Sequence, residues 1–138
     1  MSKVREYIKG PPITVGPDAS AEEVARIMAE KNVGSVVVVD AAGRPIAIVT
    51  ERDLVRAIAA RRLNAKAIEL GTRGNLLTAY PEDDVYEVLK KMRERRVRHL
   101  IVVDKDGLLR GVISIRDLLE DQALKALGEK VWWPPPED

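Results

Sequence analysis

Residues 14–54 read TVGPDASAEEVARIMAEKNVGSVVVVDAAGRPIAIVTERDL, and residues 78–118 read TAYPEDDVYEVLKKMRERRVRHLIVVDKDGLLRGVISIRDL. Laid over each other at an offset of 64, they share 14 identities in 41 positions without a gap. Thr14 falls on Thr78, Pro17 on Pro81, Glu23 on Glu87, Met28 on Met92, Val33 on Val97, Asp40 on Asp104, Gly43 on Gly107 and Arg52-Asp53-Leu54 on Arg116-Asp117-Leu118. The chain is a duplication, and each copy must be read as one structural unit.

Each copy carries the same local signals. An extended Ile13-Thr14-Val15 precedes Ser20 with Glu23 three residues on, a capping-box start for a helix whose Val24, Ile27 and Met28 share one face. In the second copy Asp84 and Glu87 play that part, and Val85, Val88, Leu89 and Met92 form the stripe. Val36 to Val39 is a continuous β-branched run, suited to a strand covered on both faces. A turn at Asp40-Ala41-Ala42-Gly43 leads to a strand over Ile46 to Val49, and Leu100 to Val103, Asp104 to Gly107 and Gly111 to Ile113 repeat the hairpin. A second helix follows Thr50, with Leu54, Val55, Ile58 and Ala59 expected inward; Leu118, Leu119 and Leu124 match them after Ser114.

The fold class is therefore mixed α/β, two β-α-β-β-α units. One unit of this size cannot bury both its sheet faces and its helix stripes, so the two are expected to pack about a pseudo-twofold axis with clefts between them. The first copy is assigned to residues 1–62 and the second to 63–128, with Lys66 to Gly74 as the crossover and 129–138 as a Trp- and Pro-rich tail.

Composition limits the function classes. The 138 residues hold no Cys and no Phe, so the core is aliphatic and no disulfide or thiolate metal site supports it. A net charge of +1 gives no global field for polyanions or anionic lipid. A charged fraction of 33% with few amides is of the kind thermophilic proteins favour. The longest apolar run, Val36 to Val39, falls far short of the roughly 20 residues of a membrane span. No apolar signal core opens the chain, and a cytoplasmic location is expected.

The pair Thr50-Glu51-Arg52-Asp53 and Ser114-Ile115-Arg116-Asp117 puts a hydroxyl at a strand end and an acid three residues on, at a helix start. Such a pair can simply cap the helix, at roughly 1 kcal/mol. It can equally bind a nucleotide, the helix N-terminus and hydroxyl holding phosphate while the carboxylate accepts ribose hydroxyls.

The two copies resemble a tandem pair of cystathionine-β-synthase (CBS) domains, a Bateman module. The likeness rests on the joint pattern of Thr-x-x-Pro, the valine-rich strand ending in Asp, the Gly turn and the (Thr/Ser)-x-Arg-Asp helix start, over about residues 3 to 125. It implies a regulatory, non-catalytic module that binds AMP, ADP or ATP, with S-adenosylmethionine or a dinucleotide as further adenosyl ligands. It also implies composite sites. One cleft would use Ile48 against adenine, Thr50 for phosphate and Asp53 for ribose, with Leu77, Thr78, Val97, Arg98 and His99 of the second copy and Arg116 reaching across. The other would use Val112, Ser114 and Asp117 with Ile13, Thr14, Val33, Gly34 and Ser35 of the first copy and Arg52. Arg98 and His99 against Gly34 and Ser35 make the two clefts unequal in charge, and unequal affinities are expected. A homodimer through the helices that follow Thr50 and Ser114 is the family pattern, acting on an unknown protein target.

Other features point elsewhere only weakly. His99 is the single histidine, and without Cys it forms no metal-ligand cluster. The run Lys90 to Arg98 is basic but lies at a helix C-terminus, where cations complement the dipole, and no aromatic interleaves to stack bases, so nucleic acid is not the expected partner. Trp132-Trp133 reads as a partner-docking clasp or as a seal over the second copy. No phosphate-binding Gly loop, dinucleotide fingerprint or His-Glu-x-x-His motif supports catalysis, and no cofactor is expected. The competing class is a ligand-free scaffold in which the Thr50 and Ser114 elements are only caps; binding of an adenosine compound discriminates the two.

Overall fold

The computed structural model describes residues 2–74 and 76–119. A 3₁₀ turn at Val4–Tyr7 leads into β1 (Thr14–Val15), α1 (Ala21–Lys31), β2 (Ser35–Val39), β3 (Pro45–Thr50) and α2 (Glu51–Ala59). The short α3 (Ala67–Leu70) opens the second half, followed by β4 (Thr78–Ala79), α4 (Val85–Arg95), β5 (His99–Val103) and β6 (Leu109–Ser114). Residues 115–119 begin a further helix. The Leu124 position and the Trp132-Trp133 tail lie outside the described residues.

Two three-stranded sheets result, ordered β1-β2-β3 and β4-β5-β6, with a parallel first pairing and an antiparallel second. Their registers repeat down to the defect: Val37 faces Ile48 and Ile101 faces Val112, and a bulge interrupts each hairpin, at Val38/Val39 and at Val102/Val103. The hairpin turns repeat as well. Asp40 Oδ1 accepts from the backbone N–H groups of Ala42 and Arg44, each at 2.9 Å, and Asp104 Oδ1 accepts from Asp106 at 2.9 Å and Leu108 at 3.0 Å. Gly43 and Gly107 close these turns at φ +84° and +81°, a region other residues enter only with strain.

The β-branched run behaves as a strand with no solvent face. Val36 and Val38 join Val24, Met28, Ala47 and Val49 in the first core, while Val37, on the opposite face, is also fully buried. The second core gathers Val85, Val88, Met92, Leu100, Val102 and Ile113 in the same way. Each such valine or leucine contributes about 1.5–3 kcal/mol by its burial.

The second helix departs from the expected packing. Only Leu54 and Ala57 of α2 are buried; Val55 and Ile58 are 64% and 62% exposed, and Ala59 is exposed. In the second copy Leu118 is buried and Leu119 is 53% exposed. The apolar residues of α2 span more than one face, and the sheet takes only the face bearing Leu54 and Ala57.

The leading segments are exchanged between copies. Val4 and Tyr7 pack into the second core, and Ala67, Ile68 and Leu70 into or against the first. Val4 and Arg5 N–H donate to the carbonyls of Asp83 and Pro81, as Ala67 and Ile68 N–H do to those of Ala19 and Pro17. The same segments satisfy helix N-termini, with Val85 N–H donating to Ser2 and Ala21 N–H to Ala65. Lys3 and Arg5 both reach Glu82, at 2.9 and 2.8 Å, and the hydrogen bond from Lys3 holds that carboxyl below its usual range.

Candidate functional site

The exchange of leaders and the doubly covered strands bring the first copy's β3–α2 junction against the second copy's α4–β5 junction. Between them lies a cleft of about 270 Å³. Its apolar wall is Ile48, Leu76, Leu77, Val97 and Ile101; its polar lining is Thr50, Asp53, Thr72 and His99, with Arg52, Arg56, Arg96 and Arg98 around it. Ile48 and Ile101 reach the same space because each points from its sheet away from its own core.

Ile48, Thr50, Asp53, Leu77, Val97, Arg98 and His99 thus stand together as the sequence suggested. Thr78 and Arg116 do not line this cleft, and Arg52, assigned across to the other cleft, lines this one. The reasons are local. Thr78 pairs with Ile101, but it is Ile101 that contributes to the wall. Arg52 lies in the first turn of the helix that Thr50 begins, so it stays with Thr50 and Asp53, just as Arg116 stays with Ser114 and Asp117. Arg56, Thr72, Leu76, Arg96 and Ile101 went unrecognised in the sequence.

The crossover positions Thr72 directly. Thr72 and Ile48 exchange backbone hydrogen bonds at 3.0 and 3.1 Å, which ties residues 71–72 to β3 at the cleft edge. Such closeness requires Gly71: a Cβ there would run into the Ile48 carbonyl oxygen and stand 2.9 Å from its carbon.

Thr50 and Asp53 form a cap, whatever else they do. Thr50 N–H donates to Asp53 Oδ2 at 2.9 Å, and the Thr50 hydroxyl donates to the same oxygen at 3.2 Å. Asp53 Oδ1 is left facing Arg56 at 3.8 Å, with the side chain only 13% exposed. The second copy makes the complementary half of the box, Ser114 Oγ accepting from Asp117 N–H at 3.1 Å. Asp117 Oδ1 lies 3.8 Å from Lys9 Nζ.

The remaining predicted positions are placed by the strands and core of their own copies. Ser35 is paired with Thr50 on β2–β3, and His99 with Ser114 on β5–β6. Thr14 pairs with Val37, Val112 with Ile101, and Ile13 and Val33 pack partly buried against the first core. Gly34 accepts the Glu51 N–H at 3.1 Å, and the Glu51 carboxylate stands 3.5 Å from where a Gly34 Cβ would be.

His99 is half-buried, and desolvation pushes its pKa below the ordinary 6.5 against the opposing pull of Asp117 and Asp53. It therefore presents a neutral imidazole at neutral pH, able to donate one hydrogen bond and accept another. Among the described residues no group of three His, Cys, Asp or Glu side chains is placed to hold a metal ion, and no helix is long and apolar enough to cross a membrane.

Comparison with known proteins agrees with this architecture. The family model described as CBS domain matches residues 4–60 and again 67–123. A CBS domain protein from Pyrobaculum aerophilum, solved in complex with AMP, superposes with a TM-score of 0.81 at 34% identity, over 94% of this chain and all of that one. The CBS domain pair of protein MJ0100, solved with 5'-methylthioadenosine and S-adenosyl-L-methionine, gives 0.78 at 28% identity over 88% and 96% of the two chains. An uncharacterized 17.7 kDa protein of Acidianus ambivalens is 32% identical over 117 residues, 85% of this chain and 71% of that one. Other curated relatives are longer, and this chain spans as little as 21% of one of them.

Proposed function

The chain belongs to the CBS-domain family as two domains in tandem, and on that premise we propose that it is a regulatory module that binds an adenosine-containing ligand in its inter-repeat clefts. The observation that carries the proposal is the cleft itself, an apolar wall of Ile48, Leu77 and Ile101 beside a mostly buried carboxylate, Asp53, with guanidinium groups around it. An apolar slot suits a purine, Asp53 retains lone pairs for ribose hydroxyls after capping α2, and cations suit phosphate. Structural neighbours solved with AMP, 5'-methylthioadenosine and S-adenosylmethionine support the ligand class.

Binding is read out through assembly. Val55, Ile58 and Leu119 leave apolar surface on the helices that start at the two hydroxyl-acid elements, so a homodimer built there would feel the state of both clefts. A ligand at about 100 times its dissociation constant adds about 2.7 kcal/mol to the bound conformation, enough to bias such an interface toward or away from a protein target. In this reading the module senses adenine-nucleotide levels.

The test is calorimetric titration of nucleotide-stripped protein with AMP, ADP, ATP and S-adenosylmethionine, repeated for Asp53→Ala and Asp117→Ala. Micromolar binding, weakened at one site by each substitution, is expected. No heat with any of the four from a folded protein returns the hydroxyl-acid elements to helix caps and the function to that of a scaffold.

A further inference from the structure

We infer that the cleft at Asp53 discriminates by ligand charge, taking an adenosine triphosphate in preference to the monophosphate and rejecting the cationic sulfonium nucleoside. The inference rests on the adenosine-binding reading and adds to it which member of the class this cleft takes. Four arginines, Arg52, Arg56, Arg96 and Arg98, line a cleft that contains one carboxylate, Asp53. Arg56 stands 3.8 Å from that carboxylate; among the described residues the other three have no carboxylate partner. All four are exposed, whereas Leu77 and Ile101 are buried, so charge lies outward of the apolar wall. A nucleotide seated base-inward would extend each further phosphate toward the guanidinium groups, which bind phosphate oxygens in bidentate fashion. A sulfonium nucleoside carries positive charge into the same field.

The repeat supplies an internal control. Arg96 and Arg98 correspond to Asn32 and Gly34 of the first copy, so the cations belong to one junction only. Arg96 also occupies a left-handed backbone position, φ 56° and ψ 38°, and Asn32 holds the same position at φ 54° and ψ 49°. Asn is among the residues that tolerate this conformation, and Arg is not. Arg61 is left-handed too but does not line the cleft. An unfavourable residue kept where its side chain lines a ligand-sized cleft is the pattern of strain retained for a site. The first copy's junction has instead the Glu51 carboxylate beside Gly34.

The experiment is titration of the full chain with adenosine, AMP, ATP and S-adenosylmethionine at low and high salt. The variants are Asp53→Ala, to identify heat from this cleft, and Arg96→Asn alone and with Arg98→Gly, which install the first copy's residues. ATP is expected to bind at least about tenfold tighter than AMP at low salt, with the advantage shrinking at high salt as the exposed guanidiniums are screened. The double variant is expected to lose that advantage, with ATP weakened far more than adenosine, and Arg96→Asn is expected to melt no lower than the parent. Equal affinity for AMP and ATP, or equal weakening of adenosine and ATP in the double variant, overturns charge selection and leaves adenosine binding standing. Absence of binding by every compound overturns both.

Discussion

His99 gives the cleft a titratable probe that no other residue in the chain can imitate, since it is the single histidine. Burial lowers its pKa below 6.5, while Asp117 and Asp53 pull the other way and Arg98 adds to the lowering. The unfolded chain therefore binds a proton at a higher pH than the folded one. Stability then rises with pH across the interval, so His99's contribution is full above about 6.5 and is lost as pH falls through the folded value. Melting temperature is expected to fall on acidification from pH 7 to 5.5, and His99→Gln should flatten that slope. Proton NMR should show the imidazole titrating below 6.5 in the free protein and higher once a phosphate sits beside it. An apparent pKa at or above 6.5 in the free protein would contradict the burial argument.

At the scale of elements, the exposed side of α2 is the clearest departure from what the pattern suggested. Apolar periodicity sets Leu54, Val55, Ile58 and Ala59 inward; it cannot say that the sheet covers only Leu54 and, beside it, Ala57. Under the dimer reading, Val55→Lys with Ile58→Lys should yield a monomer by sedimentation with little loss of intrinsic stability, because neither side chain is in the core. A parent protein already monomeric at high concentration would remove the interface. Strands, hairpin turns and first helices were legible because their signals are local: a β-branched run, an Asp two and four residues before the N–H groups it accepts, a Ser three before Glu23, although Asp84, expected to cap the second copy's helix in the same way, makes no side-chain cap. Arg56 and Arg96 were not, because an arginine near a helix C-terminus already has a sufficient reason there in the dipole. A signal for Arg96 existed in the duplication, which sets Arg against Asn at a helix end. Thr72 and Leu76 had no such signal; only the close approach at Gly71 brings their segment to β3.

The whole molecule is held together by the exchange of leaders, which was not legible because identity between the copies fades before Thr14. The contacts show why the register was hidden: Val4 corresponds to Ala67 and Arg5 to Ile68, one residue off the offset that aligns the repeats. Each copy thus depends on a segment that precedes the other, and the cleft at Asp53 lies between units that do not fold their own leaders. Val4 is buried in the second core, and its backbone N–H and that of Arg5 reach the β4–α4 loop. Val4→Ala is expected to cost about 2 kcal/mol by the transfer and cavity terms together, in a protein whose entire stability is of the order of 10 kcal/mol. The loss should not be evenly spread. Hydrogen exchange should quicken first at Val85, whose N–H donates to Ser2, and along α4 and β5, while β3, bonded to Thr72, and β2, packed in the same core as Ala67, keep their protection. Equal loss in both sheets would mean that the interface between the copies, not the leader, sets the cooperative unit; an unchanged melting temperature would deny the leader any structural part.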